Sequence, residues 1–440
     1  MNAGSDSSPG SVQSRRDFLS TVAFATGGAT LAPAVATRGF AAGARSSSRR
    51  PKVALLATEI RKFSHAQHFV DRLLEGYGWA GKHHHPPFEF AGLYVDQFPE
   101  GDLTQDRVAR HKVKLFPSVE ETLTLGGSRL AVDGVLIIAE HGVYPRTEKG
   151  QTLYPRNEFF QKTVKVFESS GRSVPVFNDK HLSTDWGECV AMVAASKRLG
   201  FPFLAGSSLP VTWRIPSVEI PLGTPMTESV CVCYGGIDSY DIHGLETAQC
   251  MSERREGGEP GVRRIQAVRG PKVWSLLGER PTTQRLASAA LARSFTFRGP
   301  TDYPCAPPDL KWLRKSHRTP TAYFIEHRDG FRTTLLLLSG VVSDFNYAGM
   351  TRSGDILSCQ MYLPMPAAMS TLADFFNPLT NNIERMILEN AAPYPVERTL
   401  LTSGMTLRAV ESLYRDQSPL DTPELDVTYA APRQSTYWRT

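Results

Sequence analysis

The sequence predicts an α/β protein: a Rossmann-like, doubly wound parallel sheet, followed by an α+β domain with an open, mostly antiparallel sheet. Two observations predict it. Short apolar runs, such as Val53 to Ala57 in Lys52-Val53-Ala54-Leu55-Leu56-Ala57 and Val135-Leu136-Ile137-Ile138-Ala139, have the character of strands buried on both faces. Between such runs lie stretches of about 10–15 residues with apolar side chains at helical spacing, the signature of repeated βαβ units.

Taken in order, Lys52 to Ala57 is the first strand, and His65 to Tyr77 is a helix with Phe69, Val70, Leu73 and Leu74 on one face. Phe88 to Val95 is the next strand and ends at Asp96. A short helix closes at Val108-Ala109-Arg110, Val113 to Phe116 reads as a strand, and Val119 to Leu125 reads as a helix. The Val135–Ala139 strand is the strongest of all. A helix from Asn157 to Ser169 precedes the strand Val174–Phe177, and a helix from Trp186 to Leu199 precedes the strand Phe203–Gly206. Residues 52–212 thus form one Rossmann-like domain. Over 213–440 the pattern changes. Glu228–Tyr234, Gly261–Val268, Thr321–His327, Thr333–Leu338 and Ile356–Tyr362 read as strands of a second sheet. Helices at Leu245–Arg255 and Leu400–Tyr414 pack against it. His83-His84-His85, just before a strand, reads as a solvated loop rather than a metal tract.

Composition excludes several classes. Hydrophobic content of 41% and charged content of 21% are those of an ordinary globular chain. The net charge of +5 includes several arginines before residue 51, so the rest is nearly neutral, with no basic stripe for nucleic acid. No apolar run approaches the ~20 residues of a membrane span. The six cysteines lack CxxC pairing, and Cys231 and Cys233 alternate on a strand, which fits core packing. Ser14-Arg15-Arg16-Asp17-Phe18-Leu19, a mildly apolar stretch to Phe40 and the small residues Ala42-Gly43-Ala44 resemble a twin-arginine export signal. The expectation is a signal over 1–44, a polar linker over 45–51, and passage through the twin-arginine translocon as a folded protein. The mature chain then works in the periplasm or outside the cell, without a membrane span.

The order of elements resembles the glucose–fructose oxidoreductase, inositol dehydrogenase (Gfo/Idh/MocA) family. Val132-Asp133-Gly134-Val135-Leu136-Ile137-Ile138-Ala139 is similar to the family's VDAVIIAT strand. The segment Val174 to Ser183, which includes Asn178-Asp179-Lys180-His181-Leu182, is similar to its KPVLVEKPLA segment, with Lys180 on the lysine. Gly235-Gly236-Ile237-Asp238-Ser239-Tyr240-Asp241-Ile242-His243 is similar to GGxLxDxGxH, with His243 on the histidine. Arg398 to Tyr414 resembles the closing helix that returns to the first domain. The resemblance implies a sugar, cyclitol or glycoside substrate, proton transfer by Lys180 and His243 with Asp179 and His181 beside them, and a homo-oligomer. It implies an NAD or NADP cofactor, for which Thr58, Asp96, Glu140 and His141 are candidate contacts by their place after the strands. Substrate contacts are then expected from Arg156, Arg214, Asp238 and Tyr240.

Two departures stand out. Where the family carries GxGxxG, this chain has Ala57-Thr58-Glu59-Ile60-Arg61-Lys62-Phe63-Ser64-His65, with no glycine to let a pyrophosphate approach the backbone. His181 replaces the family's proline, and Asp238 lies five residues before His243 where four is usual. Independently of the resemblance, His65, Glu140, His141, Asp179, Lys180 and His181 all follow strands at the carboxyl edge, where open sheets bind ligands. They suit a divalent metal, a hydrogen-bonding rim for a polyhydroxylated substrate, or structural ion pairs. Glu246, three residues beyond His243, is placed to orient its imidazole. Three functions remain open: an oxidoreductase holding NAD(P) tightly and atypically, a lyase or hydrolase with or without a metal, and a catalytically silent carbohydrate-binding protein.

Overall fold

The computed structural model describes residues 49–299, 309–365 and 372–437; the twin-arginine segment and Cys305 lie outside the described residues. The first half runs β1 (Lys52–Ala57), α1 (His65–Glu75), β2 (Tyr77–Trp79), β3 (Lys82–His84), β4 (Glu89–Val95), α2 (Thr104–His111), α3 (Val119–Thr124) and β5 (Gly134–Ile138). It continues with α4 (Arg156–Ser170), β6 (Val176–Asp179), α5 (Trp186–Leu199) and β7 (Phe203–Gly206). These strands make a five-stranded parallel sheet in the order β4-β1-β5-β6-β7. The chain leaves β1 to one side for β4 and returns on its other side for β5. That reversal opens a crevice at the carboxyl ends of the strands. Every side chain of β5 is buried, as the continuous apolar run requires.

The second half comprises β8 (Arg214–Ile215), β9 (Met226–Cys233), α6 (Asp241–Ser252), β10 (Val262–Arg269), α7 (Pro271–Gly278), α8 (Pro281–Leu291) and α9 (Leu310–Ser316). Then follow β11 (Thr321–His327), β12 (Arg332–Leu337), β13 (Phe345–Thr351), β14 (Ile356–Met361), α10 (Asn377–Glu389), α11 (Glu397–Tyr414) and β15 (Leu420–Asp421). Its eight-stranded sheet runs β15-β10-β11-β12-β9-β13-β14-β8, antiparallel except where β9 pairs β12. Helices α6 and α11 pack toward the first sheet and α5, while Trp274, Leu277, Leu286 and Leu313 of α7, α8 and α9 cover Val230, Val268 and Leu336 on the opposite face. Cys231 and Cys233 are buried core thiols. Among the described residues no helix is long and apolar enough to cross a membrane.

Several elements differ from expectation. Residues 113–116 make no full strand: only Leu115 bridges Leu93 beside β4. The triple histidine is not a loop; His83 and His84 lie in a small β2–β3 hairpin, where His84 Nε2 is 2.7 Å from Glu384. Helix α10 also returns to the first domain, setting Leu379, Ile383 and Met386 into the cluster that holds Val53, Leu55 and Phe69. A Cβ at Gly134 would stand 2.7 Å from Ile387 of α10, so glycine there permits the contact.

Candidate functional site

Several loops meet at the crevice, and the backbone there is unusual. His141, Lys180 and Asp238 all have positive φ (72°, 61° and 59°), a conformation that costs non-glycine residues energy and needs surrounding structure to hold it. His141 and Lys180 sit just past the ends of β5 and β6; Asp238 lies in the loop between β9 and α6. Together with the start of α1, these turns surround a cavity of about 360 Å³. Its wall includes His65, Glu140, His141, Lys180, Tyr240 and His243. The volume lies at the low end of the ~300–1,000 Å³ typical of small-ligand pockets.

Two charged assemblies define its chemistry. In the first, buried Glu140 accepts from Lys180 Nζ at 3.0 Å and from Arg156 Nη2. Burial opposes ionisation of Glu140, but Lys180 and then Arg156 hold its carboxyl well below the usual range. Burial alone would depress Lys180; Glu140 and Asp179 outweigh it and keep the ammonium above its ordinary value. In the second, His65 Nδ1 lies 2.7 Å from Asp179 Oδ2. A carboxylate at that distance receives the Nδ1 proton, so that in the neutral ring the lone pair is on Nε2. Asp179 is wholly buried, and its Oδ1 has no hydrogen-bond partner.

The other imidazoles are held neutral. Burial and the nearby Lys180 push His243 well below its usual value, and its Nδ1 has no partner. Burial and His65 bring His141 down to about 3. The His65 ring centroid is 5.6 Å from that of His141 and 6.4 Å from that of His243, so three imidazoles share one small space.

The remaining predicted residues divide between the wall and its support. Tyr240 lines the cavity, with its ring 5.8 Å from His243. His181 lies behind the wall. Arg156 Nη1 donates to its Nε2 at 3.1 Å, and since arginine has only donors, His181 carries its proton on Nδ1. Arg156 is buried between Glu140 and His181 and supports the wall without lining it. Asp238 accepts from Gln151 Nε2 and the Thr152 amide, both at 3.2 Å, and burial with Asp241 pushes its carboxyl up to about 6. Arg214 is remote: it donates to the Val218 carbonyl and Ser435 Oγ, with its guanidinium 4.0 Å from the Tyr437 ring centroid.

Glu246 does not orient His243. Its Oε2 accepts the Ser207 amide at 2.7 Å, and its Oε1 lies 3.3 Å from Thr399 Oγ1. The Thr399 hydroxyl is shared between that carboxyl oxygen and the Ala205 carbonyl, 2.8 Å away, and donates to both. Burial raises it to about 7 from 4.5. A raised carboxyl pKa favours the fold at low pH, and this contribution is lost as pH rises from the unfolded value through about 7. Glu246→Gln, whose side chain stays uncharged in its buried site at every pH, is expected to recover roughly 3 kcal/mol at pH 8 and little at pH 4. Urea unfolding at both pH values measures this; an equal effect at the two would refute a protonated Glu246.

The turn after β1 and the loop after β4 are bound up with their own side chains. Thr58 is buried and donates its hydroxyl to the Glu140 carbonyl at 2.6 Å, while its own carbonyl accepts the Gln97 amide. Glu59 is buried on the turn and holds Arg61 Nε at 2.5 Å. The amides of Phe63 and Gln67 are taken by Gln67 Oε1 and Ser64 Oγ. Asp96, expected on a ribose, instead accepts from Tyr94 and Tyr144 at 2.8 and 2.7 Å. Gln97 exchanges two hydrogen bonds with the Val143 backbone, so the loops after β4 and β5 are stitched together. These residues do not fit a dinucleotide seated on a glycine-rich turn. Among the described residues no group of three ligating side chains is arranged to hold a metal ion, so the polar cluster does not assemble the metal site weighed from the sequence.

Residues from the far end of the chain complete the cavity: Phe345, Leu363, Phe375 and Phe376. Phe376 stacks on His68 at 4.8 Å. No local signal marks them, because their role exists only after the second domain folds back.

No protein-family model matches the sequence, and a comparison with curated proteins finds no match. The fold is nevertheless shared with solved dehydrogenase structures. GenD2 from gentamicin A biosynthesis, solved in complex with NAD, superposes with a TM-score of 0.53 at 11% identity, covering 85% of this chain and 96% of that one. A probable dehydrogenase from Thermotoga maritima gives 0.51 at 10% identity, covering 85% and 99%. The myo-inositol dehydrogenase from Lactobacillus casei, in complex with NAD(H) and myo-inositol, gives 0.50 at 10% identity, covering 89% and 100%. The fold is thus the one these structures share: a Rossmann-like sheet joined to a mixed, mostly antiparallel one.

Proposed function

We propose that this chain is an exported enzyme of the lyase or isomerase class, a divergent Gfo/Idh/MocA relative that works on one sugar or cyclitol ring by acid–base chemistry. One observation carries the reading: the His65–Asp179 pair and the Lys180 ammonium open on the same small cavity, while the glycine-free turn is occupied by its own side chains. Proton removal beside a carbonyl needs a base and a cation near the oxygen that gains charge. His65 Nε2 takes the proton from the carbon, and the C–H electron pair moves to the carbonyl oxygen, which Lys180 stabilises. Returning the proton to the former carbonyl carbon, while the adjacent hydroxyl gives its proton to the former carbonyl oxygen and becomes the new carbonyl, isomerises the sugar; alternatively the carbonyl re-forms and a leaving group departs from the carbon on the other side, which eliminates it. The apolar wall of Phe345 and Phe376 limits water beside the reacting carbon. The dehydrogenase likeness of the fold, and the NAD bound in two of those structures, favour the rival reading of a tightly held nicotinamide.

The test is made on protein exported and purified folded. Part is denatured and assayed for released NAD(P), and part is incubated in D2O with a panel of aldoses, ketoses and inosose for proton NMR. The expected result is no stoichiometric nucleotide and deuterium entering at least one sugar at the carbon next to its carbonyl. Stoichiometric NAD(P) without exchange would overturn the proposal in favour of a self-contained oxidoreductase.

A further inference from the structure

A second, larger cavity of about 890 Å³ adjoins the first, and His68 lines both. Its wall carries Tyr77, Trp79 and Trp213, with Arg72, Asp374 and Asn377 as polar groups. Trp79 comes from the β2–β3 hairpin, which interrupts the passage from α1 to β4. The hairpin is held in four ways. Tyr77 Oη donates to Glu384 at 2.5 Å, His84 Nε2 meets the same carboxylate at 2.7 Å, Asn377 Nδ2 donates to the Gly78 carbonyl at 2.9 Å, and Gly76 turns the chain with φ 78°. A Cβ at Gly76 would stand 2.4 Å from the His84 carbonyl oxygen, so that turn admits only glycine.

The polar groups of the wall point to the kind of ligand. Arg72 is buried, yet its donors go to neutral oxygens: the Asn377 side chain and the carbonyls of His68, Leu372 and Ala373. Asp374 accepts Tyr362 Oη at 3.1 Å through Oδ2, while its buried Oδ1 has no hydrogen-bond partner. A buried acceptor left unpaired is costly and is satisfied by a ligand that donates. Asp71 and Glu75, also in the wall, disfavour an anion. A ligand that offers both a C–H face to indole rings and hydroxyl donors is a sugar ring.

We propose that this cavity is a second sugar subsite, so that the substrate is a glycoside of at least two rings: one in the His65–Lys180 cavity, the next against Trp79 with a hydroxyl on Asp374. The assignment rests on the function proposed above for the first cavity. It makes the hairpin a specificity element, selecting ring number, while the acid–base groups act only on the first ring.

The experiment is calorimetric titration of the parent, W79A and D374N with glucose, myo-inositol, maltose, cellobiose, gentiobiose and p-nitrophenyl glucoside. The parent is expected to bind at least one disaccharide ten-fold or more tighter than glucose. W79A should remove that advantage while leaving the glucose Kd unchanged, and D374N, which preserves the aromatic wall, should reduce it several-fold. Glucose binding without any disaccharide advantage, or an advantage that survives in both variants, overturns the subsite and leaves the first cavity's reading intact. Tighter binding of p-nitrophenyl glucoside than of every disaccharide replaces the second sugar with an aromatic aglycone and also overturns it. Binding of no sugar ring by the parent overturns both.

Discussion

His65→Ala is expected to lower turnover by about 10²–10⁴-fold, the contribution typical of a positioned general base. The residue is the first of α1, where alanine is a better helix former, and Ser64 caps the helix independently by accepting the Gln67 amide. The fold should therefore survive, with Tm lowered by a few degrees because the wholly buried Asp179 loses its His65 hydrogen bond. Asp179→Asn tests the same unit from behind. An amide can donate to Nδ1 and reverse the tautomer, so the lone pair is lost from Nε2, and the rate should fall in the same range. The double variant should be little worse than either single one, because the two residues act as a unit. Nitrogen-15 NMR of the His65 ring offers a reading independent of substrate: Nδ1 protonated in the parent and not in D179N. Parental turnover by folded H65A would remove this pair from the chemistry.

Glu140→Gln should be the most destabilising single change at the site. Glu140 neutralises two buried cations, Lys180 and Arg156, and removing one member of a buried ion group leaves charge uncompensated at a cost of about 3–5 kcal/mol. That corresponds to a fall in Tm of roughly 5–15 °C. The double variant E140Q/K180M should recover part of the loss, since it removes a stranded charge along with its partner. The sign with pH is opposite to that of Glu246. Glu140 has a folded-state pKa well below 4.5, so its contribution is present above the unfolded value and lost as pH falls through the folded one. The stability difference between parent and E140Q should thus narrow on acidification below about pH 4. Denaturant melts at pH 7 and pH 3.5 measure it; a gap that widens in acid contradicts an ionised Glu140.

Much of the fold was legible because it depends on local pattern. The apolar runs at β1 and β5 and the helical spacing of α1 and α5 each carry their own periodicity. What escaped notice broke that pattern for a reason visible in three dimensions. Strand β13 carries Asn346 and Gly349 in its interior, both poor strand formers; Asn346 is accommodated by hydrogen bonds to Asp344 and the Val232 carbonyl. Helices α7, α8 and α10 each open with proline in the first turn, which reads as a breaker but suits a helix start. At the site, the carboxyl-edge residues were legible individually. Their partnerships were not: His65 and Asp179 are 114 positions apart, and nothing local couples them. The departure at the glycine turn was visible in the sequence, whereas the side chains that fill it became apparent only with the loops of β4 and β5 in place.

The left-handed backbone at His141, Lys180 and Asp238 has a consequence for anyone who would move this chemistry elsewhere. Each residue sits where glycine would be more comfortable by about 1–2 kcal/mol, so the loops do not prefer their own shape. Lys180 stays in place because its amide bonds the Gly206 carbonyl at 3.1 Å and its ammonium bonds Glu140; Asp238 stays because Gln151 and Thr152 grip it. Grafted as short peptides onto another scaffold, these turns would relax and scatter their side chains. The transferable unit is the whole crevice, with both sheets behind it.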